Sequence, residues 1–291
     1  MKTALITGID GFTGKHLEKE LLSHGYEVFG FSRNASGHNR FSCDVRDNDK
    51  VSEIVSKIKP THIYHLAGFS NLPESFKHPQ ECMDINVKGT KSLLNAADKL
   101  NKDSNINPRI LIVSSVLVYG NPLYVPIDEL CPIPTPESPY ADSRIRQEIL
   151  SLDSGLDVII ARQFNHTGEG QAENFFVPSL KKQIRDAKDG DSIYVGNIDI
   201  VKDFSDVRDV VKSYRLLLEY APSREIYNIG SGIEYNLRDM INKMIKSSGK
   251  DLKIVVDEKR YRANETPKIV CDTTKLHSII RFKFRELDYS V

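Results

Sequence analysis

The sequence carries no excess charge: 40 lysines and arginines are matched by 40 aspartates and glutamates. A surface balanced in this way offers no electrostatic basis for nucleic acid or an anionic membrane as partner, although local basic residues can still meet an anionic substrate. Long apolar runs are missing as well. None approaches the roughly 20 residues that a membrane span requires. The opening Met1-Lys2-Thr3-Ala4-Leu5-Ile6-Thr7-Gly8 is too short for the apolar core of a secretion signal and reads as a strand. Cysteine is scarce, and Cys43, Cys82, Cys131 and Cys271 are scattered without metal-ligand spacing. No metal site is expected, and a reduced, cytoplasmic protein is the default. Internal repeats and low-complexity linkers are absent too.

What is present is alternation. With 40% hydrophobic and 27% charged residues, the composition is that of a globular chain. A length of 291 residues suits one large α/β unit with a smaller attached lobe. Short β-rich runs at 4–7, 27–31, 63–66, 110–113 and 158–161 are separated by amphipathic segments. In one of these, Val51, Ile54, Val55 and Ile58 share a helix face. A long helix is expected over 83–100 and another from about Tyr140. Such alternation predicts a parallel sheet covered on both faces. After Arg162 the rhythm changes. Helices are expected near 177–187, 207–220, 237–248 and 273–280, with strand-like pieces at 192–195, 198–201, 226–229 and 254–256. The division expected is a main domain over 1–165, to which 199–230 partly returns, and a discontinuous lobe made of 166–198 and 231–291.

Gly8-Ile9-Asp10-Gly11-Phe12-Thr13-Gly14 joins the first strand to the first helix. That context separates a phosphate-binding turn from a chance run of glycines. Gly8 permits the tight turn, Gly11 lets the backbone approach a pyrophosphate, and Gly14 lets helix pack closely on strand. The helix N-terminus at Phe12 and Thr13 adds free N–H groups and a positive dipole end. The expected fold is therefore a Rossmann-type doubly wound parallel sheet binding a nicotinamide dinucleotide, with a smaller, discontinuous C-terminal substrate lobe. The end of the second strand selects the cofactor. A carboxylate there would bind the ribose 2′-hydroxyl of NAD, but the residues are Phe31-Ser32-Arg33-Asn34. Arg33 can pair with a 2′-phosphate and Ser32 can hydrogen-bond to it, which favours NADP(H) over NAD. The alternative for Arg33 is a solvated surface charge.

Ser115 follows the fourth strand, and Tyr140 precedes Arg144 by four residues within Ser138-Pro139-Tyr140-Ala141-Asp142-Ser143-Arg144. Residues at i and i+4 share one helix face. A cation so placed lowers the phenol's pKa and can hold the nicotinamide ribose. The tyrosine then exchanges a proton with a carbonyl or alcohol oxygen while hydride moves. Ser115 would hold that same oxygen. Alone, a Ser-Ser pair after a strand is often a turn, and a tyrosine at a helix start is often packing. Behind a dinucleotide turn the combination points to redox chemistry at a carbonyl.

The succession Thr7-Gly8…Gly11-Phe12…Gly14, His65-Leu66-Ala67, Asn86-Val87-Lys88-Gly89-Thr90, Ser114-Ser115…Tyr119-Gly120 and Ser138-Pro139-Tyr140 resembles the extended short-chain dehydrogenases/reductases that act on nucleotide sugars, the NAD-dependent epimerase/dehydratase family. Three later segments, Arg162 to Gln171, Val201 to Val210 and Arg262 to Pro267, are similar to its GDP-4-keto-6-deoxy-D-mannose reductase branch. The resemblance implies cofactor contacts from Asp44 and Val45, near the adenine, and from Leu66, Ala67 and Gly68. It implies substrate contacts from Asn165, Val177, Lys202, Arg262 and Glu265, with Lys202 and Arg262 at the nucleotide diphosphate. Asn86 would support the cofactor site, and His166 would be a structural loop histidine. Without the resemblance, Asp44 reads as a helix N-cap, and Lys202 and Arg262 read as surface charge.

Two departures stand out. Arg144 occupies the place of the family's lysine; it keeps the charge but stays protonated and cannot relay a proton well. Lys202-Asp203-Phe204 replaces the usual Arg-Asp-Phe, so a bidentate fork becomes a point charge. The reaction expected is NADPH-dependent reduction of the 4-keto group of a nucleotide-linked 4-keto-6-deoxyhexose, GDP-linked by preference with dTDP and UDP open, in deoxysugar biosynthesis. Val116-Leu117-Val118 supplies no carboxylate after Ser115, which disfavours the 4,6-dehydratase reaction. The alternatives are a 4-epimerase retaining NAD and, given Arg144, a non-catalytic NADP-binding regulatory subunit. A homodimer is expected through the helices at 83–100 and 140–152, unless their apolar faces are spent within the subunit.

Overall fold

The computed structural model describes residues 2–261 and 266–291; the expected substrate residues Arg262 and Glu265 lie outside the described residues. The first half contains β1 (Thr3–Thr7), α1 (Phe12–Ser23), β2 (Glu27–Ser32), β3 (Arg40–Ser42), α2 (Asn48–Ile58), β4 (His62–His65), α3 (Leu72–Lys77), α4 (Pro79–Met83), α5 (Gly89–Ser104), β5 (Arg109–Ser115) and α6 (Pro139–Leu152). Then come β6 (Val158–Gln163), β7 (Asn165–Thr167), α7 (Phe176–Asp186), β8 (Ser192–Val195), β9 (Val201–Asp206), α8 (Val207–Tyr220) and β10 (Glu225–Ile229). The last elements are β11 (Glu234–Asn236), α9 (Leu237–Ser248), β12 (Lys253–Val256), β13 (Lys268–Ile269) and α10 (Thr274–Ile279).

Seven strands form one parallel sheet in the order β3-β2-β1-β4-β5-β6-β10. This is the doubly wound Rossmann arrangement expected, with β10 added at one edge. The winding reverses between β1 and β4, and such a reversal opens a crevice at the carboxyl ends of the strands. Ile110, Leu111 and Ile112 in β5 and Val158, Ile159 and Ile160 in β6 are all buried, because helices cover both faces of a parallel sheet. On one face Leu17 and Leu21 of α1 pack with Val210, Tyr214 and Leu217 of α8. On the other, Val51 and Val55 of α2 pack with Leu93, Ala97 and Leu100 of α5. A third core joins α7, β8 and α9 through Leu180, Ile184, Ile193, Met240 and Ile241. No helix among the described residues is long and apolar enough to cross a membrane.

Two expectations shift. The helix expected over 83–100 starts at Pro79 and passes through a wider π-helical turn, Asp84–Lys88, before α5 continues to Ser104. That turn carries Asn86, whose side chain faces inward, and a widened turn is a common way to aim one residue off the regular ladder. The strand expected over 198–201 lies further on, at Val201–Asp206; Ile198 and Ile200 are buried in the loop before it. An apolar run marks burial here, while pairing follows from the partners available to β9.

Those partners are β7, β11 and β13. Asp203, in the middle of β9 and fully buried, ties them to the main sheet. It accepts from Ser231 N–H at 3.0 Å, Ser231 Oγ at 2.7 Å, Gly232 N–H at 2.8 Å and Cys271 N–H at 3.2 Å. These donors follow β10 and β13, so one carboxylate holds the exit of each. Asp203→Ala leaves the buried Cys271 N–H without an acceptor and removes the acceptor of the more accessible Ser231 and Gly232 N–H groups. We expect a stability loss of about 2 kcal/mol in urea denaturation, since a buried unsatisfied donor costs on the order of 1–3 kcal/mol. A loss under about 1 kcal/mol would show that the carboxylate is dispensable.

Candidate active site

The glycine turn is built as its spacing predicts. Gly8 sits at φ +73°, donates to Phe31 O at 2.8 Å and accepts from Gly11 N–H at 3.0 Å. A Cβ on Gly14 would lie 2.4 Å from Gly8 O and 2.7 Å from Ile9 O, which is the close packing of helix on strand. Gly11 caps α1 without a side-chain hydrogen bond, so the cap residue itself leaves the first-turn N–H groups uncovered. Phe12 stacks on His166 at 5.7 Å, and Thr13 Oγ1 lies 3.0 Å from His166 Nε2. Burial pushes the His166 pKa down to about 4, so the neutral ring acts as a buttress for the turn.

At the end of β2, Ser32 donates to Asp10 Oδ2 at 2.5 Å, and Arg40 lies 3.3 Å from Asp10 Oδ1. Asp10 and Arg40 were not singled out by the motif, in which Asp10 is one of the unspecified positions. The Ser32 proton is thus committed to Asp10, while Arg33 stays exposed. Asp44 is gripped by Arg46, with Nε at 2.9 Å and Nη2 at 2.6 Å, and that hydrogen-bonded guanidinium holds its carboxyl below the usual range. It caps no helix; the cap of α2 is Asp47, which accepts from Lys50 N–H. Val45 is buried against Gly89, where an added Cβ would approach Val45 Cγ1 to 2.6 Å.

Ser115 ends β5 and accepts from Leu117 N–H at 3.2 Å, which leaves its own proton to donate. Tyr140 enters the site because Ser138 caps α6 and Pro139 starts it, with Ser138 Oγ accepting from Ala141 N–H at 3.1 Å. One turn later the Arg144 guanidinium lies 5.2 Å from the centre of the Tyr140 ring. Arg144 is 5% exposed. Its Nη1 donates to Val113 O at 3.0 Å and to Gln147 Oε1 at 2.8 Å; its Nη2 donates to Phe69 O at 3.2 Å. Asn86 clamps the Phe69 peptide by accepting its N–H at 2.7 Å and reaches Ser143 Oγ at 2.8 Å.

Two buried polar chains run through α6. In the first, Gln147 Nε2 donates to Thr90 Oγ1 at 2.8 Å, and Thr90 donates to Asn86 O at 2.6 Å. His65 lies between Thr90 (Nε2, 2.9 Å) and Thr7 (Nδ1, 2.8 Å), and Thr7 Oγ1 accepts from Ala67 N–H at 3.0 Å. Because the Thr90 proton is spent on Asn86 O, His65 must donate from Nε2 and accept at Nδ1. Leu66, Ala67 and Gly68 are thereby held between the glycine turn and Arg144; a Cβ on Gly68 would lie 2.8 Å from Arg144 Nη2. In the second chain, Ser114 donates a short bond to Glu148, and Glu148 pairs with Arg162 Nη2 at 2.7 Å. Arg162 also donates to Tyr119 OH at 2.9 Å, and Tyr119 to Asn228 Oδ1 at 2.8 Å.

Of the substrate residues expected, Asn165 donates to Asp203 O at 3.2 Å and Lys202 Nζ to Thr266 O at 2.9 Å. Val177 is buried in the third core and lines a cavity of about 490 Å³ with Gln171, Lys181, Met240 and Met244. Ser115, Tyr140 and Arg144 do not line that cavity.

The fold and this constellation define a Rossmann-type protein of the extended short-chain dehydrogenase/reductase class. The family model for GDP-mannose 4,6 dehydratase matches residues 5–286, and the chain belongs to that family. It is 32% identical to the GDP-6-deoxy-D-mannose reductase of Pseudomonas aeruginosa over 96% of this chain and 90% of that protein. The GDP-mannose 4,6-dehydratase of Vibrio cholerae is 27% identical, over 89% of this chain and 76% of that one. The solved structure of RMD from Pseudomonas aeruginosa complexed with NADPH superposes with a TM-score of 0.85 at 30% identity, covering 99% of this chain and 95% of that one.

Burial, followed by the Arg144 charge, pushes the His65 pKa down to about 3. An unfolded histidine titrates near 6.5. Below that pH the unfolded chain binds a proton that the folded protein refuses. The neutral ring's contribution is complete above about pH 6.5 and is lost as pH falls toward 3, at up to about 1.4 kcal/mol per pH unit. Urea denaturation of His65→Asn should therefore show a shallower decline between pH 6.5 and 5 than the wild type. Identical slopes would contradict a buried neutral His65.

Proposed function

We propose that the protein reduces the 4-keto group of a nucleotide-linked 4-keto-6-deoxyhexose with NADPH, in deoxysugar biosynthesis, with a GDP-linked sugar preferred and dTDP or UDP as the other candidates. The observation that carries the reading is Tyr140 above the buried cation of Arg144, on a helix that Arg144 and Glu148 tie to β5, the strand that Ser115 ends. The residues fit a dinucleotide. Gly11 puts no side chain over the N-terminus of α1, and Arg144 keeps a buried Nε with no partner among the described residues. NADPH supplies the hydride when bound. Ser115 donates a hydrogen bond to the carbonyl oxygen, and Tyr140 delivers the proton that oxygen needs once it gains negative charge. Arg144 favours the phenolate left behind, as a fixed charge that takes no part in proton relay.

NADPH rather than NADH is supported by Arg33, with no acid at the end of β2, and by the cofactor of the Pseudomonas aeruginosa relative. Elimination of water is disfavoured because Val116 and Val118 occupy the turn after Ser115 and are buried, leaving no acid or base there. Asn165 and Lys202, with Arg262 and Glu265 from the segment before Thr266, would take the nucleotide diphosphate sugar. In this reading residues 166–198 and 231–291 act as the substrate lobe. A homodimer through α5 and α6 is part of the proposal; Ile149 on α6 is 55% exposed and suits such a contact.

Incubation of the protein with GDP-4-keto-6-deoxy-D-mannose should oxidise NADPH. Tyr140→Phe should lower the rate by about 10²–10⁴, the usual share of a positioned general acid. Binding of NADPH, followed by fluorescence, should survive the substitution. An unchanged rate in Tyr140→Phe would sink the assignment.

A further inference from the structure

Arginine at position 144 raises a question of geometry. A guanidinium has five N–H donors in a rigid plane, and a buried one needs acceptors for them. The buried Arg162 turns the edge made by Nε and Nη2 onto the Glu148 carboxylate, and the exposed Arg46, Arg208 and Arg238 turn the same edge onto Asp44, Asp206 and Asp199. Arg144 does the reverse. Both protons of its Nη1 are used, on Val113 O and Gln147 Oε1. Its Nη2 makes one bond, to Phe69 O, and its Nε is buried with no partner among the described residues. The Nε that those four arginines spend on a carboxylate is the donor that Arg144 keeps.

We propose that Gln147 is a positioning residue for the cofactor. By taking Nη1 it turns the Nε/Nη2 edge of Arg144 toward the site, where two adjacent donors match two adjacent hydroxyls of the nicotinamide ribose. The inference rests on the dinucleotide reading above. Gln147 is suited to the task because it is fully buried and cannot swing away. Its Nε2 is anchored on Thr90, and Thr90 is anchored on Asn86 O and His65. A lysine at 144 would present one nitrogen and would leave Gln147 Oε1 without its donor. Arg144 and Gln147 therefore act as a pair.

The test compares two ligands by fluorescence or calorimetry: NADPH, and 2′,5′-ADP, which lacks the nicotinamide ribose. Gln147→Leu should weaken NADPH about tenfold, as expected for a charge-assisted bond lost in a buried site. Binding of 2′,5′-ADP should stay within about twofold. A merely structural Gln147 would weaken both ligands together, and that result, or no effect on either, overturns the proposal. If Gln147→Leu does not fold, Arg144→Lys carries the comparison: the same selective loss is expected, and unchanged NADPH affinity overturns it. In the Arg144→Lys background Gln147→Leu should add little, because the two losses are one interaction counted twice. If the wild type binds NADH instead, NADH and ADP replace the two ligands. Binding of neither nicotinamide cofactor by the wild type would defeat the dinucleotide reading itself, and this inference with it.

Discussion

A positive charge that cannot reach water organises the centre of this protein. The Arg144 guanidinium is buried, and burial of a charge is tolerated only where acceptors meet its donors. The acceptors come from separate parts of the chain: Val113 from β5, Phe69 from the loop after β4, and Gln147 from the same helix. Each must be held in turn, so Asn86 clamps the Phe69 peptide and Thr90 anchors Gln147. Through His65 and Thr7 the requirement reaches the strand that begins the glycine turn. A chain of neutral, fully satisfied hydrogen bonds thus connects the two ends of one candidate cofactor site.

Helix α6 carries a buried ion pair one turn further on, Glu148 with Arg162. Breaking such a pair on one side costs more than the pair contributes, since the remaining charge is stranded. Glu148 also accepts from Ser114, the neighbour of Ser115. The helix is therefore tied to β5 at two successive turns, by a cation and then by an anion. Tyr140 at its start and Ser115 at the end of β5 inherit their relative placement from those ties. The polar interior serves positioning, and the apolar clusters on either face of the sheet supply the stability that permits it.

The family includes reductases, dehydratases and epimerases, and one scaffold serves all of them because hydride transfer needs the same crevice. The differences lie in which acids and bases surround the sugar. Here the turn after Ser115 is apolar and buried, and the cation beneath the tyrosine is an arginine. Both features suit a reaction that asks for one proton at one oxygen.

Local features were legible in the sequence. The strand-turn-helix context of Gly8, Gly11 and Gly14, the alternation of apolar runs and the i,i+4 relation of Tyr140 and Arg144 all act over a few residues, so spacing alone carries them. The short strands β3, β7, β11 and β13 were not legible, since two or three residues show no period. Asp10, Asp203, Gln147 and Thr90 were equally hidden. Each has a partner 22 to 68 residues away, and nothing in a lone Asp, Gln or Thr announces a partner that distant. The sequence by itself determined the doubly wound sheet, the dinucleotide turn and the types of residue at the site. Only the tertiary structure decided that Ser32 faces Asp10 and that the buried Arg144 meets Val113 O and Phe69 O. Hydrogen bonds between side chains depend on distance and direction in space, and those are set by packing rather than by order along the chain.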